Sequence, residues 1–198
     1  GSANRRIGEI MARYRKRTWV GEKLAPGPSR IHGEGVVATA PIRRGETLMI
    51  FGGLAIPGAE LDAGIYRIRS IWKVENDLYL ALPESDPSPS LDENLNHSCE
   101  ANAWLDDAVA LSARRDIAPG EEITLDQGSW NFEDEDYVVD GDRCRCGAPA
   151  CRGVLTARDW KLPALRLGYR GHFHPLIEAM IAQESRDRPA RKRRARRG

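Results

Sequence analysis

The stretch Asn96-His97-Ser98-Cys99-Glu100-Ala101-Asn102 decides the fold prediction, because it places a cysteine directly after a polar Asn-His-Ser segment. The other three cysteines of the chain follow together, in Cys144-Arg145-Cys146 and at Cys151. Tetrahedral zinc takes four thiolate ligands at about 2.3 Å. Three thiolates within eight residues leave one coordination position open, and Cys99 is the remaining cysteine. The spacing therefore predicts one structural zinc that pins the Asn-His-Ser segment to the C-terminal loop.

Two disulfides or four buried thiols are the alternative interpretations of the same cysteines. Cys144 and Cys146 are too close in sequence to bridge each other comfortably. The chain also has no run of about 20 apolar residues and no signal-peptide pattern, which favours a cytoplasmic protein, with nucleoid or nuclear association as the alternative. Disulfides fit poorly with such a compartment, so the pattern favours zinc.

Charge is distributed unevenly along the 198 residues. Residues 1–17 carry a net charge of +5 and residues 186–198 one of +7, so the total of +1 leaves −11 for residues 18–185. An acidic body favours a basic partner, such as a lysine-rich peptide, through electrostatic steering. Simple solvation is the alternative for most individual charges. The tail 186–198 lacks core-forming residues, which predicts disorder and weak, salt-dependent contact with nucleic acid.

Short strands separated by Gly, Pro and Asp or Asn dominate the pattern between residues 30 and 127. The predicted strands are Val36–Val37, Thr47–Phe51, Ile65–Trp72, Asp77–Leu82, Ala103–Leu105, Val109–Leu111 and Ile123–Leu125. Residues 5–17 carry apolar side chains at helical spacing, and Pro175 opens a second predicted helix. The predicted fold class is therefore mostly β, with a C-terminal helix.

These residues together resemble the SET domain with its post-SET zinc loop, the fold of most protein-lysine methyltransferases. The Asn-His-Ser-Cys stretch is similar to the family signature, and Gly33-Glu34-Gly35 to its opening strand. Pro119-Gly120-Glu121-Glu122-Ile123-Thr124 resembles the segment that enters the catalytic turn, and Cys144-Arg145-Cys146-Gly147 with Cys151 resembles the post-SET loop. The resemblance covers about residues 30–155, looks like the compact free-standing bacterial members, and implies several small sheets with a threaded pseudoknot.

The resemblance also implies a cofactor, S-adenosylmethionine, bound against Gly33, Glu34, Gly35, Asn96 and His97. Glycine permits close approach of the backbone to a ligand, and an asparagine amide offers both a donor and an acceptor. The implied reaction is methyl transfer to lysine side chains of a basic protein or peptide. No membrane partner is implied.

The catalytic turn departs from the family pattern. Gln127 stands at the position of the family's tyrosine, Leu125 at the neighbouring aromatic position, and Phe51 where many members have tyrosine. A glutamine carbonyl accepts a hydrogen bond from an amine, but its shape differs from that of a phenol. Trp130 or Tyr137 is a candidate for the missing ring, with simple packing as the alternative. The candidate catalytic residues are thus Gln127, Phe51, Leu125 and Tyr137.

The predicted organisation has five parts: an N-terminal extension, the SET domain, the post-SET zinc loop, a C-terminal helical extension and the basic tail, at residues 1–28, 29–141, 142–155, 156–185 and 186–198. The predicted function is S-adenosylmethionine-dependent methylation of protein lysines with an altered lysine channel. The alternative is a catalytically impaired, zinc-stapled binding module, associated with nucleic acid through the tail.

Overall fold

The computed structural model of the protein describes residues 13–131 and 141–187. Within these ranges short strands prevail, and the helices lie near the C-terminus. The strands are β1 (Trp19–Val20), β2 (Leu24–Pro28), β3 (Glu34–Ala38), β4 (Thr47–Ile50), β5 (Leu54–Pro57), β6 (Trp72–Glu75), β7 (Leu78–Ala81), β8 (Asn96–His97), β9 (Ala103–Leu105), β10 (Ala110–Ala113), β11 (Glu122–Leu125), β12 (Asp142–Arg143) and β13 (Val154–Leu155). The helices are α1 (Pro163–Gly168) and α2 (Pro175–Asp187), and 3₁₀ turns occur at Gly58–Ala63, Ile68–Ser70, Leu91–Asn94, Gln127–Ser129 and Asp159–Lys161.

The strands form three sheets of unequal size. The largest has eight strands in the order β1-β4-β10-β9-β11-β3-β2, with β8 paired to β11 off this path. Strands β5, β7 and β6 form an antiparallel sheet, and β12 pairs with β13. This arrangement confirms the predicted class, a mostly β fold of several sheets.

The parallel pair of β8 and β11 positions the candidate site. Asn96 lies opposite Thr124, and His97 lies opposite Leu125. This pairing sets the Asn-His-Ser segment beside the turn that contains Gln127. The predicted threading of the chain stays a prediction.

Apolar side chains of the large sheet form the main core. Their removal from water, at about 25 cal/mol per Å² of apolar surface, is the chief term holding the sheet together. The largest buried members are Ile42, Leu48, Met49, Phe51, Leu105, Leu111, Ile117, Ile123 and Leu125.

The predicted strand Ile65–Trp72 is wrong. A 3₁₀ turn occupies Ile68–Ser70, and strand β6 begins only at Trp72. The hydroxyl of Ser70 donates to the Arg67 carbonyl at 2.8 Å and accepts the Leu82 N–H at 2.8 Å. The Ser70 hydroxyl thus takes backbone hydrogen bonds that a continuous strand would form with its neighbour. Serine side chains commonly compete with regular secondary structure in this way. Ile68 is 64% exposed, so its β-branched side chain is not part of a buried strand.

The C-terminal extension packs through its own cluster onto the sheet. Helix α2 begins at Pro175, as predicted, and buries Ile177 against Trp160 and Phe173. His174 is buried: Nε2 donates to the Lys73 carbonyl at 3.0 Å, and Nδ1 accepts the Leu176 N–H at 3.2 Å. His174 therefore fastens the extension to strand β6.

Several predictions fall partly or wholly outside the described residues. Most of the helix predicted over residues 5–17 lies there, as do Tyr137 and residues 188–198. Residues 186 and 187, assigned to the tail from the sequence, end helix α2. The nucleic-acid contact of the tail stays a prediction. None of the described helices is long and apolar enough to cross a membrane.

Candidate functional site

A cavity of about 490 Å³ lies where strand β8 meets the loop before β3 and the segment around β12 and β13. We call it the large cavity, because it is the larger of the two cavities that adjoin Gln127. Cavities of this size are typical of small-molecule sites. Cys144 and Cys146 also border it. The other residues that define its character are Ile31, His32, Asn96, His97, Gln127 and Leu155.

Asn96 ties the loop before β3 to the floor of the large cavity. Its Nδ2 lies 2.8 Å from Glu122 Oε1, 3.1 Å from Ser29 Oγ and 3.1 Å from the His32 carbonyl. The side chain is buried, and its amide group donates to protein acceptors. Asn96 therefore shapes the loop that carries Ile31 and His32, two residues of the cavity wall.

The glycines of the predicted cofactor strand have distinct local roles. Gly33 has a φ of 53°, in the left-handed region that favours glycine. A Cβ at Gly35 would lie 2.4 Å from Glu122 Oε1, so a side chain there would displace that carboxylate from its present position. The cavity wall itself consists of Ile31 and His32 rather than Gly33, Glu34 and Gly35.

A second, small cavity of about 70 Å³ adjoins the first and is mainly aromatic. The ring centroids of Phe51 and Trp72 are 4.3 Å apart, and those of Trp72 and Trp130 are 5.1 Å apart. We call this space the aromatic cavity. Trp130 thus lies in the ring wall, as one alternative from the sequence foresaw, and Leu125 borders the same space. Asp92 is the acidic residue of its lining.

Gln127 borders both cavities, together with Leu95 and His97. Its Oε1 is buried and has no hydrogen-bond partner among the described residues. A buried, unpaired acceptor is costly and calls for an explanation, such as a ligand that donates to it. The structure therefore sets, at the junction of the two cavities, an acceptor that no described residue satisfies.

A cluster of potential metal ligands borders the large cavity. The donor atoms of His97, Cys99, Cys144 and Cys146 all lie within 4.8 Å of one another. Cys99 Sγ is 3.8 Å from Cys144 Sγ, whereas Cys151 Sγ, which accepts the Gly153 N–H at 3.4 Å, is not a member of this group. The structure thus brings together three of the four predicted cysteines and one imidazole.

The hydrogen bonds of His97 decide between a fourth thiolate and the imidazole. Its Nδ1 accepts the Gln127 N–H at 3.1 Å, and burial lowers its pKa, which favours the neutral ring. A neutral imidazole that accepts at Nδ1 carries its proton on Nε2. Nε2 faces Cys99 Sγ at 3.3 Å and is therefore a donor to sulfur rather than a metal ligand. The hydrogen bonds therefore favour Cys151 over His97 as the fourth ligand, whereas the distances between donor atoms group His97 with Cys99, Cys144 and Cys146.

The thiols differ in their readiness to ionise. Burial raises the pKa of Cys144 to about 11 and raises that of Cys99 further. Burial alone would also raise the pKa of Cys146, but hydrogen bonds from the backbone of Cys99 and Ala148 lower it to about 7. A metal supplies the positive charge that deprotonates the remaining thiols, so its binding releases protons.

Arg152 joins the cysteine cluster to the turn that contains Gln127. Its backbone N–H donates to Cys99 Sγ at 3.3 Å, and its guanidinium donates to both carboxylate oxygens of Asp126. Nε also donates to Asp159 Oδ2 at 2.8 Å. Burial alone would lower the pKa of Arg152, but the hydrogen bonds and charge of Asp126 raise it. Arg152 therefore remains charged and holds three separate segments together.

Sequence reasoning missed Trp72, Arg152 and Asp126 as parts of this site. Trp72 was predicted as the end of a strand, and Arg152 as a member of the zinc loop. Their partners are distant in sequence, so no local spacing could have signalled them. The adjacency of Arg152 to Cys151 was the one available sign.

Comparisons with known proteins agree with this geometry. Residues 33–128 match the SET domain family. The chain is 30% identical over 162 residues to Histone-lysine N-methyltransferase ATX2 of Arabidopsis thaliana, a match that covers 72% of this chain and 13% of that protein. It is 29% identical over 149 residues to Histone-lysine N-methyltransferase TRX1 of Oryza sativa subsp. japonica, covering 68% of this chain and 14% of that protein. The chain thus spans about one seventh of the length of these relatives.

A solved structure shows the same fold. The methyltransferase domain of human Histone-lysine N-methyltransferase SETMAR superposes with a TM-score of 0.50 at 20% identity, over 69% of this chain and 58% of that one. Residues 33–128 of the present chain are therefore a SET domain, as the sequence motifs predicted.

Proposed function

We propose that this protein is an S-adenosylmethionine-dependent lysine methyltransferase that acts on a basic protein. The observation that carries the proposal is the buried Oε1 of Gln127, which lies where the two cavities meet and has no hydrogen-bond partner within residues 13–131 and 141–187. The printed names of the relatives, histone-lysine methyltransferases, support the reaction class.

The large cavity suits the cofactor in size and charge. Asn96, His97, Ile31, His32 and Leu155 would hold it. Three basic residues on the same wall suit the carboxylate of its amino-acid end: Arg69, Arg143 and Arg145. When bound, the cofactor supplies an activated methyl group on a sulfonium.

The aromatic cavity suits the acceptor side chain. A lysine must lose its ammonium proton before its nitrogen can attack. Ring faces such as those of Trp72 and Trp130 attract an ammonium by about 0.5–2 kcal/mol. Full burial in apolar surroundings shifts a lysine pKa down by as much as about 3–5 units, which corresponds to about 4–7 kcal/mol. Desolvation therefore favours the neutral, reactive amine more strongly than the rings favour the ammonium, whereas the Asp92 carboxylate in the same lining acts in the direction of the ammonium.

Gln127 orients that amine. Its Oε1 can accept one amine N–H, which fixes the rotation about the terminal carbon–nitrogen bond. The nitrogen lone pair is then free to face the large cavity. Positioning of this kind, rather than acid–base chemistry by Gln127, is its proposed role.

One structural zinc on Cys99, Cys144, Cys146 and Cys151 belongs to the same proposal. Four thiolates are a ligand set typical of a closed, structural zinc site. Because Cys144 and Cys146 also border the large cavity, the metal would stabilise the wall against which the cofactor packs.

Transfer of a labelled methyl group to a panel of histones and other basic proteins tests the proposal. Zinc-loaded protein is incubated with cofactor over a range of pH, and products are located by mass spectrometry. We expect label on lysine side chains, and less of it with Q127L, which keeps the side-chain size and removes the acceptor.

Cofactor binding without transfer to any protein of the panel would contradict the proposal and favour the non-catalytic binding module. The double variant F51Y/Q127Y then serves as a control. A gain of turnover in that variant would identify the chain as an enzyme whose channel has decayed.

A further inference from the structure

A third cavity, of about 570 Å³, lies beside the Cys99 end of the Asn-His-Ser-Cys segment. Its wall includes Cys99 from that segment, Arg152 from the zinc loop, and Leu162, Leu165 and Tyr169 in and around helix α1. We call it the arginine cavity, because Arg114 and Arg115 also border it. The proposed methyl transfer makes no use of this space.

The Arg114 guanidinium is held in one orientation by aromatic rings. It lies 4.6 Å from the ring centroid of Tyr169 and 5.8 Å from that of Trp104. Stacking of this kind fixes the plane of the guanidinium fork. The planar fork therefore presents its N–H groups in a defined direction.

The N–H groups of the Arg114 guanidinium form only long hydrogen bonds with the described residues. Nη1 lies 3.3 Å from the Tyr169 hydroxyl and 3.5 Å from the Ala101 carbonyl, and Nη2 lies 3.5 Å from the Gly168 carbonyl. These are long distances for hydrogen bonds, and each acceptor is uncharged. Within residues 13–131 and 141–187, Arg114 forms no ion pair with a carboxylate.

None of the described carboxylates near Arg114 forms an ion pair with it. Arg152 is neutralised by Asp126 and Asp159, and Arg115 is paired with Glu121 at 2.9 Å. Glu100, which also borders the cavity, is exposed and makes no ion pair with Arg114 in the described part of the chain.

Tyr169 provides a second donor at the same place. Its hydroxyl accepts from Arg114, so its own proton is available to another acceptor. Burial raises the pKa of Tyr169, which keeps that proton on the oxygen. Leu162 and Leu165 add an apolar wall beside these two polar groups.

We propose that the arginine cavity binds a small organic anion, a phosphate monoester or carboxylate carried on a planar apolar body, through Arg114 and Tyr169. A guanidinium fork suits the paired oxygens of such an anion, and the tyrosine adds one neutral hydrogen bond. The apolar body then contacts Leu162 and Leu165. This inference concerns a separate site and does not rest on the proposed methyl transfer.

Calorimetric titration of the full-length, zinc-loaded protein with phenyl phosphate tests the proposal. Inorganic phosphate tests the charge alone, benzoate tests the carboxylate, and a single-stranded DNA oligonucleotide tests a polyanion. We expect millimolar or tighter binding of phenyl phosphate, weaker binding of inorganic phosphate, and a loss of about tenfold in affinity with R114Q. R43Q is the matched control, because Arg43 is an exposed arginine paired with Asp116 away from the cavity.

Y169F is a second variant that tests the same site if R114Q fails to fold. It retains the packed ring of Tyr169 and removes only the hydroxyl. We expect it to weaken phenyl phosphate binding several-fold, with R43Q unchanged. No binding of phenyl phosphate or benzoate, or equal affinities in wild type, R114Q and Y169F, would overturn the proposal. Oligonucleotide binding that R114Q leaves unchanged, without binding of the small anions, would overturn it as well.

Discussion

Arg152 holds the buried carboxylate of Asp126 with two hydrogen bonds, 2.8 Å from Nη1 to Oδ2 and 2.6 Å from Nη2 to Oδ1. Asp126 directly precedes Gln127, and Arg152 directly follows Cys151. The pair thus connects the turn at the cavity junction with the cysteine cluster. The two parallel hydrogen bonds of a bidentate pair fix the relative orientation of the two side chains. Loss of either partner would leave the other charge buried and unpaired, which is strongly destabilising.

Removal of the Arg152 side chain should destabilise the fold strongly. We expect R152M to lower the free energy of unfolding by about 3–5 kcal/mol, because the Asp126 charge is then buried without its partner. Urea unfolding of the zinc-loaded protein measures this change. R43M is the matched control: its pair with Asp116 is 80% and 64% exposed, and the expected loss is about 0–1 kcal/mol. A loss of similar size in both variants would contradict the structural role of Arg152.

Single replacements in the cysteine cluster should separate the ligands from the neighbouring imidazole. We expect C99S and C151S to lose the stoichiometric zinc, whereas H97Q should retain it, because Nε2 of His97 donates to Cys99 rather than binding metal. Metal analysis of purified variants checks this. Zinc retained by C151S but lost by H97Q would identify the imidazole as the fourth ligand.

Zinc removal should also weaken cofactor binding. Structural zinc contributes on the order of 10–16 kcal/mol of apparent binding free energy to small zinc domains. Cys144 and Cys146 border the large cavity, so chelation should loosen its wall. We expect a chelator to lower the melting temperature and the cofactor affinity together, and added zinc to restore both. Unchanged cofactor affinity in metal-free protein would show that the cluster does not support the cavity.

Stability should fall in mild acid because of His174. Burial lowers the pKa of His174 to about 4 from an ordinary value of 6.5. Between these values the unfolded chain binds the proton and the folded chain does not, so stability decreases as the pH falls through this window. The expected contribution is about 3 kcal/mol between pH 6.5 and 4. Urea unfolding at several pH values in this range measures the contribution. We expect the free energy of unfolding of H174Q to depend less on pH than that of the wild type. The same pH dependence in both proteins would contradict the assignment to His174.

Replacement of Gln127 should separate transfer from cofactor binding. We expect Q127L to lower kcat by about tenfold, the value of one neutral hydrogen bond, with cofactor affinity changed by less than about threefold. Steady-state kinetics and calorimetry on the same preparation check both quantities. An unchanged kcat would contradict the proposed role of Gln127 in orienting the acceptor amine.

The sequence predicted the parts of this site that local spacing encodes. The four cysteines and Asn96-His97 stay predicted ligands, recognised from their order and separation, whereas the strands β9, β10 and β11 follow from short apolar runs between turns. The aromatic cavity was less accessible, because Trp72 and Trp130 lie far apart in sequence and meet only through sheet packing. The failed strand at Ile65–Trp72 has a similar cause: the side chain of Ser70 bonds to Leu82, a residue of another segment.

Calorimetric titration of the zinc-loaded protein with S-adenosylmethionine, and with its demethylated product, tests whether the large cavity is a cofactor site. If the large cavity is the cofactor site, both compounds should bind with micromolar dissociation constants, and chelation should weaken both. No heat of binding from either compound, in protein shown to be folded and to contain one zinc, would contradict the account and leave a zinc-stapled SET domain without its cofactor.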